Sequence, residues 1–289
     1  MRTPIVAATD GSEESLAATQ WAAVAAARRG ARLCIVHVMD YPDPGPHAQP
    51  MRHEMSVPFR HGLPHHARAV LAKASRRAAG AAPGIDVHEV AVFGHADQVL
   101  TAMTTRAPLF AIGTRGAGRS PGQRLGSVAR CLAGQARCPV VLVTADTAPA
   151  FDEIVVGTEG SDHAAAVLEF GFGEAELSDA RLRALYIWAH PHLAELESNH
   201  DWMLSVGPAN PRATARLAQE VAPWRRKHPG VLVTEDTVHG EPARVLSFAS
   251  GHADLIVVEE RDEAGSARGL GSVASELLQH THCPVAVIP

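Results

Sequence analysis

The sequence predicts two doubly wound α/β domains in tandem, each built on a five-stranded parallel sheet. The chain has 289 residues, about twice the length of a typical domain of roughly 150 residues. A set of short motifs occurs twice, once in each half. Within each half, β-branched runs alternate with alanine-rich amphipathic stretches, which is the pattern of βαβ units on a parallel sheet.

The repeated motifs define the domain boundaries. IVAATDGS from Ile5 recurs as IVVGTEGS from Ile154, and ARLCIVHV from Ala31 recurs as ARLRALYI from Ala180. GSVA and CPV also occur near the end of both halves. A repeat of this length is a whole domain rather than a solenoid unit. We therefore predict domains at residues 1–145 and 151–289, joined by a small polar linker at residues 144–153.

The elements of the first half follow from its apolar runs. Strands are predicted near residues 5–8, 33–38, 87–92, 109–113 and 140–143, and helices near 14–29, 65–79, 96–105 and 127–135. The second half repeats this series from Ile154 to Ile288. Residues 40–64 are proline-rich and have no period, so they are predicted to form a long loop. In such sheets, ligands bind beyond the carboxyl ends of the strands, where the strand order reverses.

Composition excludes several classes of protein. A net charge of -5 gives no basic excess, so no nucleic acid is expected as a partner. The sequence shows no signal-peptide layout and no apolar run of the ~18 residues that a membrane span needs, so we expect a cytoplasmic protein without membrane contact. The 4 cysteines form no C-x-x-C pair. Cys138 and Cys283, at predicted strand entrances, are expected to be buried free thiols.

The long loop and the start of the following helix are rich in histidine. The residues concerned are His47, His53, His61, His65 and His66. They could gather a metal ion, but no carboxylate or histidine pair at helical spacing organises them. Solvated surface histidines are the alternative that the sequence favours, and the role of residues 47–66 stays open.

A glycine-rich loop follows the fourth predicted strand. Gly113, Gly116 and Gly126 are separated by two and nine residues, and Ser127 opens a helix. Gly113 and Gly116 are expected to adopt unusual dihedral angles and to let the backbone pass close to a ligand. Amide donors at the start of the helix favour an anion, so we predict a phosphate site. A dinucleotide fingerprint would follow the first strand, and a P-loop would carry lysine where Ser127 stands.

The first predicted helix is a weaker anion site. Ser12 is its expected N-cap, and Glu13 and Glu14 occupy its first turn, where they satisfy the helix dipole and repel phosphate. Asp10, at the end of the first strand, is a candidate acceptor for an exocyclic amine on a base. The alternative is that Asp10 serves as a turn or cap residue before Gly11.

Taken together, these residues resemble the universal stress protein family in its tandem, two-domain form. The resemblance covers essentially the whole chain, and its carriers are IVAATDGS, AIGTRGAGRSPGQRLGSVA and CPVVLV in the first half and IVVGTEGS, HGEPARVL, GSVASELL and CPVAVI in the second. The glycine spacing matches that of ATP-binding members. The resemblance implies an adenine nucleotide alpha hydrolase-like fold and a cytoplasmic, stress-responsive, nucleotide-binding protein that dimerises through its last strands.

The resemblance also implies roles for individual residues. Asp10 would contact adenine, and the backbone near Val38 would face the base. The ribose and the phosphates, with Mg²⁺ as a candidate companion ion, would contact the glycine-rich loop and the start of the following helix through Gly113, Arg115, Gly116, Gly126, Ser127 and Val128. Two departures from the family pattern, Ala8 before the first strand's aspartate and Pro108 before the fourth strand, leave the proposed phosphate loop untouched.

The second half departs further from the pattern. Glu159 replaces Asp10, while Glu259 and Asp262 stand where Gly113 and Gly116 do. Residues 113–130 contain four arginines and no acids, a net charge of +4, whereas residues 259–276 contain five acids and two arginines, a net of -3. Two unit charges about 6 Å apart interact by roughly 2 to 3 kcal/mol at an effective dielectric of about 20. We therefore predict that the first domain binds ATP and the second binds it poorly or not at all.

Three functions remain open at this level. The leading hypothesis is a non-catalytic ATP receptor that acts through nucleotide-linked association. A weak ATPase or phosphotransferase using Arg115, Arg119 and Arg124 is the enzymatic alternative. A ligand-free dimeric module, with both loops simply solvated, is the third. The last strands of both halves are expected at sheet edges, where they could pair within the chain or in a homodimer.

Overall fold

The computed structural model describes residues 3–40, 64–118, 125–145, 150–160, 164–188, 210–260 and 270–289. The chain forms two compact units, Met1–Ala145 and Asp146–Ile288. Residues 146–149 of the expected linker lie outside the described residues, and its last residue, Glu153, is already the first residue of a strand.

The first unit is a parallel sheet flanked by helices. Its strands are β1 (Ile5–Ala8), β2 (Leu33–Met39), β3 (Val87–Phe93), β4 (Phe110–Gly113) and β5 (Val140–Val143), and its helices are α1 (Glu13–Arg28), α2 (His65–Ala81), α3 (Ala96–Met103) and α4 (Ser127–Ala133). The strands lie in the order β3-β2-β1-β4-β5 with parallel pairing. The strand order reverses between β1 and β4, which makes their carboxyl ends the expected place for a ligand.

The second unit repeats this arrangement. Its strands are β6 (Glu153–Thr158), β7 (Arg181–Trp188), β8 (Val233–His239), β9 (Leu255–Glu259) and β10 (Val285–Ile288), and its helices are α5 (Ala164–Ser178), α6 (Pro211–Lys227), α7 (Pro242–Ala249) and α8 (Ser272–His280). These strands lie in the order β8-β7-β6-β9-β10, again parallel. The fold class predicted from the sequence, two doubly wound five-stranded sheets, is confirmed.

Burial of both sheet faces explains why β1, β5 and β10 are continuous apolar runs. All four residues of β1 are buried, as are all four of β5 and all four of β10. Small residues let the helices approach the sheet closely. In α5, a Cβ atom at Gly171 would collide with the Val156 side chain of β6, so glycine is required there.

All 4 cysteines are free thiols. Cys34, Cys138 and Cys283 are buried, as expected for the latter two, whereas Cys131 is half-buried. Burial raises the pKa of Cys138 to about 11 and that of Cys283 to about 12. Because the thiolate is the reactive form, these two buried cysteines are inert at neutral pH.

The two units differ in the contacts that hold the start of their first strand. In the second unit, Asp254 accepts hydrogen bonds from Phe151 N at 2.8 Å and from Glu153 N at 3.3 Å, which hold the first residues of β6 beside β9. In the first unit, Pro4 stands at the position of Glu153 and Pro108 at that of Asp254. Proline has no N–H to donate. The missing family aspartate at position 108 therefore leaves no donor at position 4 without a partner.

Candidate functional site

The carboxyl ends of β1 and β4 are joined to the start of α4 by hydrogen bonds. Ala117 N, after β4, donates to Asp10 Oδ2, after β1, at 2.6 Å. Ser12 Oγ lies 3.4 Å from the carbonyl oxygen of Arg115, and Gly126 N donates to Thr114 O at 2.8 Å. We call Asp10, Ser12, Arg115, Ala117 and Gly126 the switch-point cluster. The structure thus brings together three sequence-predicted regions, the first strand's end, the glycine loop and the fourth helix.

Asp10 is held by its own turn as well as by the loop. Its Oδ1 atom accepts from Ser12 N at 3.0 Å and from Ser12 Oγ at 2.6 Å, so the turn role left open by the sequence is present. Burial raises the pKa of Asp10, but the hydrogen bonds from Ser12 and Ala117 outweigh it and leave the pKa below its ordinary value. The carboxyl group is therefore ionised at neutral pH, and Oδ2 keeps a lone pair beyond the one that Ala117 uses.

The two loop glycines are required for a different reason from the one expected. Neither Gly113 nor Gly116 has a positive φ, so the expectation of unusual dihedral angles there is wrong. A Cβ atom at Gly113 would lie 2.7 Å from Glu14 C and Ser15 N in the first turn of α1. A Cβ atom at Gly116 would lie 2.7 Å from Asp10 Oδ2. Close packing around β1 and α1, which sequence spacing does not show, is what demands glycine at both positions.

Arg115 is bound to an acidic residue of α1. Its Nη2 atom lies 2.8 Å from Glu14 Oε1, and the exposed fractions of the two side chains are 36% and 10%. Glu13, its neighbour, pairs with Lys73 at 3.0 Å and with Arg77 at 2.9 Å. The charge count made from sequence treated Arg115 as free, and the structure shows it neutralised. Arg119 and Arg124 lie outside the described residues.

The two helix starts at the switch point differ as the sequence predicted. Ser12 is the N-cap of α1 and accepts from Ser15 N at 3.3 Å, with Glu13 and Glu14 in the first turn. Gly126 is the N-cap of α4, and neither a capping side chain nor an acidic residue accompanies it. Ser127 is exposed and Val128 half-buried in this first turn. The first N–H groups of an α-helix have no partner within the helix, so those of α4 need an acceptor from outside it.

The end of β2 is tied to the same region through a histidine that sequence reasoning missed. His37, next to Val38, is buried, and its Nδ1 atom lies 2.8 Å from the carbonyl oxygen of Thr9. Because a carbonyl only accepts, Nδ1 carries the proton. The His66 ring contacts the His37 ring edge-on, with centroids 6.1 Å apart. Val38 itself pairs in register with Val92 of β3.

The histidines considered as metal ligands form no metal site within the part of the chain that the structure describes. His65 and His66 open α2, while His47, His53 and His61 fall outside the described residues. Among the described residues, no three His, Cys, Asp or Glu side chains converge on a point that could hold a metal ion.

The second unit keeps the backbone of this site. Gly271 N donates to Glu260 O at 2.9 Å, matching the bond from Gly126 to Thr114. Glu260 N donates to Ile288 O at 2.9 Å, as Thr114 N does to Val143 O. These bonds place Glu259 at the position of Gly113. Because Glu259 has a Cβ atom, the first turn of α5 cannot pack against β9 as closely as the first turn of α1 packs against β4. Asp262 lies outside the described residues.

Comparison with known proteins agrees with the resemblance seen in the sequence. A model of the universal stress protein family matches residues 1–144 and again residues 150–289. The chain belongs to the universal stress protein family. Two universal stress proteins of Mycobacterium tuberculosis are each 30% identical to it, over 294 and 295 residues, covering 98% of this chain and 96% and 95% of theirs. Family membership supports a role in the stress response.

Solved structures show the same fold. The crystal structure of a universal stress protein from Archaeoglobus fulgidus aligns with 99% of this chain and 96% of its own at a TM-score of 0.66 and 16% identity. In this universal stress protein, none of the described helices combines the length and the apolar character that crossing a membrane requires.

Proposed function

We propose that this universal stress protein is a cytoplasmic receptor for ATP, which binds in the first unit without efficient hydrolysis and alters the association of the protein. The observation that supports the proposal is the switch-point cluster. It places an ionised acceptor, Asp10, and the uncapped start of α4 around one backbone segment, residues 113–117. An acceptor for an amine and amide donors for phosphate are the two chemistries that an adenine nucleotide needs.

Each part of the nucleotide has a proposed contact. The free lone pair of Asp10 would accept the exocyclic amine of adenine, and the end of β2 at Val38 would face the base. The ribose and the first phosphates would pass Gly113 and Gly116. The phosphate tail, with or without Mg²⁺, would meet the amides of Ser127 and Val128 and pass the Cα of Gly126, whose own N–H is bound to Thr114 O. In this proposal Arg115 holds the loop through Glu14 rather than contacting phosphate directly.

The second unit would not bind ATP in the same way. Two residues of the proposed site are replaced by glutamate in the second unit. Glu159 stands in place of Asp10, and Glu259 stands in place of Gly113. Glu260, directly after β9, is a third acidic residue near the proposed place of the phosphates. Carboxylates close to a triphosphate cost roughly 2 to 3 kcal/mol for each pair at about 6 Å, before salt screening.

Gly126→Ala tests the phosphate contact separately from the fold. A Cβ atom at Gly126 would lie 3.5 Å from the nearest atom, Thr114 O, and its φ of −69° suits any residue. We expect the variant to keep its thermal stability within about 1 kcal/mol, the cost of an alanine N-cap, and to bind ATP at least tenfold more weakly, because a methyl group meets the phosphates. The matched control is Gly271→Ala in the second unit, which should leave ATP affinity unchanged.

Two measurements decide the proposal. Mass analysis of small molecules released by denaturing the purified protein identifies any nucleotide carried, and calorimetry with ATP, ADP, AMP and GTP gives affinity and stoichiometry. One ATP for each chain is expected, with no phosphate release above that of the Gly126→Ala variant. Phosphate release that Gly126→Ala abolishes would favour the enzymatic alternative. Absence of binding at millimolar nucleotide would favour the ligand-free module and refute the proposal.

A further inference from the structure

A threonine lies at the end of the first strand of each unit, Thr9 directly after β1 and Thr158 as the last residue of β6, and the two threonines are bound to different helices. In the first unit, Thr9 Oγ1 lies 3.1 Å from Ser15 Oγ, which belongs to α1. In the second unit, Ala164 stands at the place of Ser15, so that hydroxyl partner is lost. Thr158 Oγ1 instead donates to Glu220 Oε2 of α6 at 3.4 Å. In both units the threonine hydroxyl accepts from the following glycine N–H, Gly11 at 3.2 Å and Gly160 at 3.1 Å.

The helices α2 and α6 differ at the position that contacts the threonine in the second unit, and at the position one turn before it. Both have 17 residues, and their sixth and tenth positions are Val70 and Ala74 in α2 but Arg216 and Glu220 in α6. Arg216 Nε donates to Glu220 Oε1 at 3.2 Å. The two units therefore differ at three related positions, with serine, valine and alanine in the first and alanine, arginine and glutamate in the second. The result is an ionic pair where the first unit has only aliphatic side chains.

This pair lies over the turn that corresponds to the proposed base site. In the first unit, Val70 Cγ2 lies 3.3 Å from the position of a Cβ at Gly11, so an apolar wall stands beside Asp10. In the second unit, Arg216 Cδ and Cζ lie 2.9 Å from the position of a Cβ at Gly160, and Arg216 Nε lies closer still. The arginine side chain thus runs along the backbone of the turn and occupies space at the end of β6.

We propose that Arg216 and Glu220 exclude a purine base from the end of β6, so that the second unit rejects the base as well as the phosphates of a nucleotide. This inference rests on the proposed ATP site of the first unit. The Glu220 side chain is only 18% exposed and is bound on both oxygens, to Arg216 and to Thr158. A base entering here would have to break these bonds and leave a poorly solvated carboxylate without partners, which is strongly unfavourable.

The exclusion of the base is independent of the acidic loop. Glu259 and Glu260 act on phosphate charge, whereas Arg216 and Glu220 act on the volume beside the strand end. An open groove along α6, lined by Arg212, Ala215, Arg216, Gln219 and Glu220, shows that space exists beyond the pair. Adenosine, which has no phosphate, therefore isolates the effect of the pair, and ATP reports both effects together.

The test exchanges the residues between the units in the full-length chain. In a chain that also carries Glu159→Asp, which restores the base acceptor, Arg216→Val with Glu220→Ala restores the α2 residues of the first unit. Equilibrium dialysis with radiolabelled adenosine at millimolar concentration counts the sites. We expect the unmodified chain to bind one adenosine and the double variant to bind two. The reciprocal variant, Ser15→Ala with Val70→Arg and Ala74→Glu, should bind ATP at least tenfold more weakly. Val70→Leu is the matched apolar control and should stay within twofold of the unmodified chain.

The outcomes separate this inference from the proposed function. An unchanged adenosine stoichiometry in the Arg216→Val, Glu220→Ala variant overturns the inference, even if Ala74→Glu prevents the reciprocal variant from folding. Tighter ATP binding by a folded reciprocal variant also overturns it, because it would mean that the arginine stacks on the base. If the unmodified chain binds no nucleotide while the double variant gains one adenosine, the proposed function fails and the inference stands.

Discussion

The ion pair between Arg115 and Glu14 predicts that this arginine acts on ATP through the position of the loop. Removing one partner of a fully buried pair costs about 3–5 kcal/mol, whereas exposed pairs contribute about 0.2–1 kcal/mol. Glu14 is nearly buried and Arg115 about one-third exposed, at 10% and 36%. Arg115→Met should therefore cost about 2 kcal/mol of unfolding free energy, because it leaves a poorly solvated carboxylate. Glu14→Gln should cost about 1 kcal/mol, since the guanidinium can turn to solvent.

The same two variants distinguish a positioning role from a phosphate contact. If Arg115 only holds the loop, both variants weaken ATP binding, Arg115→Met about tenfold, and the double variant is no worse than Arg115→Met alone. If the guanidinium binds phosphate, Glu14→Gln releases it and strengthens ATP binding. Calorimetry at two salt concentrations and urea unfolding measure both quantities. Tighter binding by Glu14→Gln, or a smaller salt dependence in Arg115→Met, would refute the reasoning.

Three further predictions concern stability. The pKa of Asp10 lies below its ordinary value of 3.8, so the stability that its carboxylate contributes is present above that pH and is lost as pH falls through the folded pKa. Asp10→Asn should therefore lose less stability than the unmodified chain between about pH 5 and pH 3 in urea unfolding, and an identical loss would contradict this. Asp254→Ala removes two hydrogen bonds to the start of β6 and should cost about 1–3 kcal/mol in thermal unfolding. Pro108→Asp should gain less stability than Asp254→Ala loses, since Pro4 offers no N–H for the hydrogen bond that Glu153 makes in the second unit.

The sequence predicted the strands well because a short, continuous apolar run is stable in few places other than a buried strand. The bounds of β1 and β5 agree with the expected ranges, and β2 extends only to Met39. These runs are buried on both faces of a parallel sheet, so burial alone fixes them. The helix ends were less accurate: α4 ends at Ala133 and α3 at Met103, each two residues before the expected end. Helix ends depend on local capping, which spacing does not reveal.

The contacts within the site could not be predicted from spacing. Ala117 reaches Asp10, and Arg115 reaches Glu14, across more than a hundred residues of sequence, after three crossovers of the chain. The net charge of residues 113–130 identified a basic loop but could not show that Arg115 is neutralised by α1. Gly113 was correctly singled out, yet the cause lies in the first turn of α1 and not in its own dihedral angles. The sequence pattern identified the residue that the site requires, but only the packing in the folded chain shows why it is required.

The shared backbone of the two units limits where their difference can arise. The bonds from Gly126 to Thr114 and from Gly271 to Glu260 have nearly the same length, 2.8 and 2.9 Å, and both helices start with an uncapped glycine. Amide donors at the fourth helix are therefore present in both units and cannot by themselves select ATP for one of them. Selection must come from side chains. The candidates within the described residues are Glu159 after the first strand, the glutamates at the end of β9 and the Arg216–Glu220 pair on α6, which oppose different parts of the ligand.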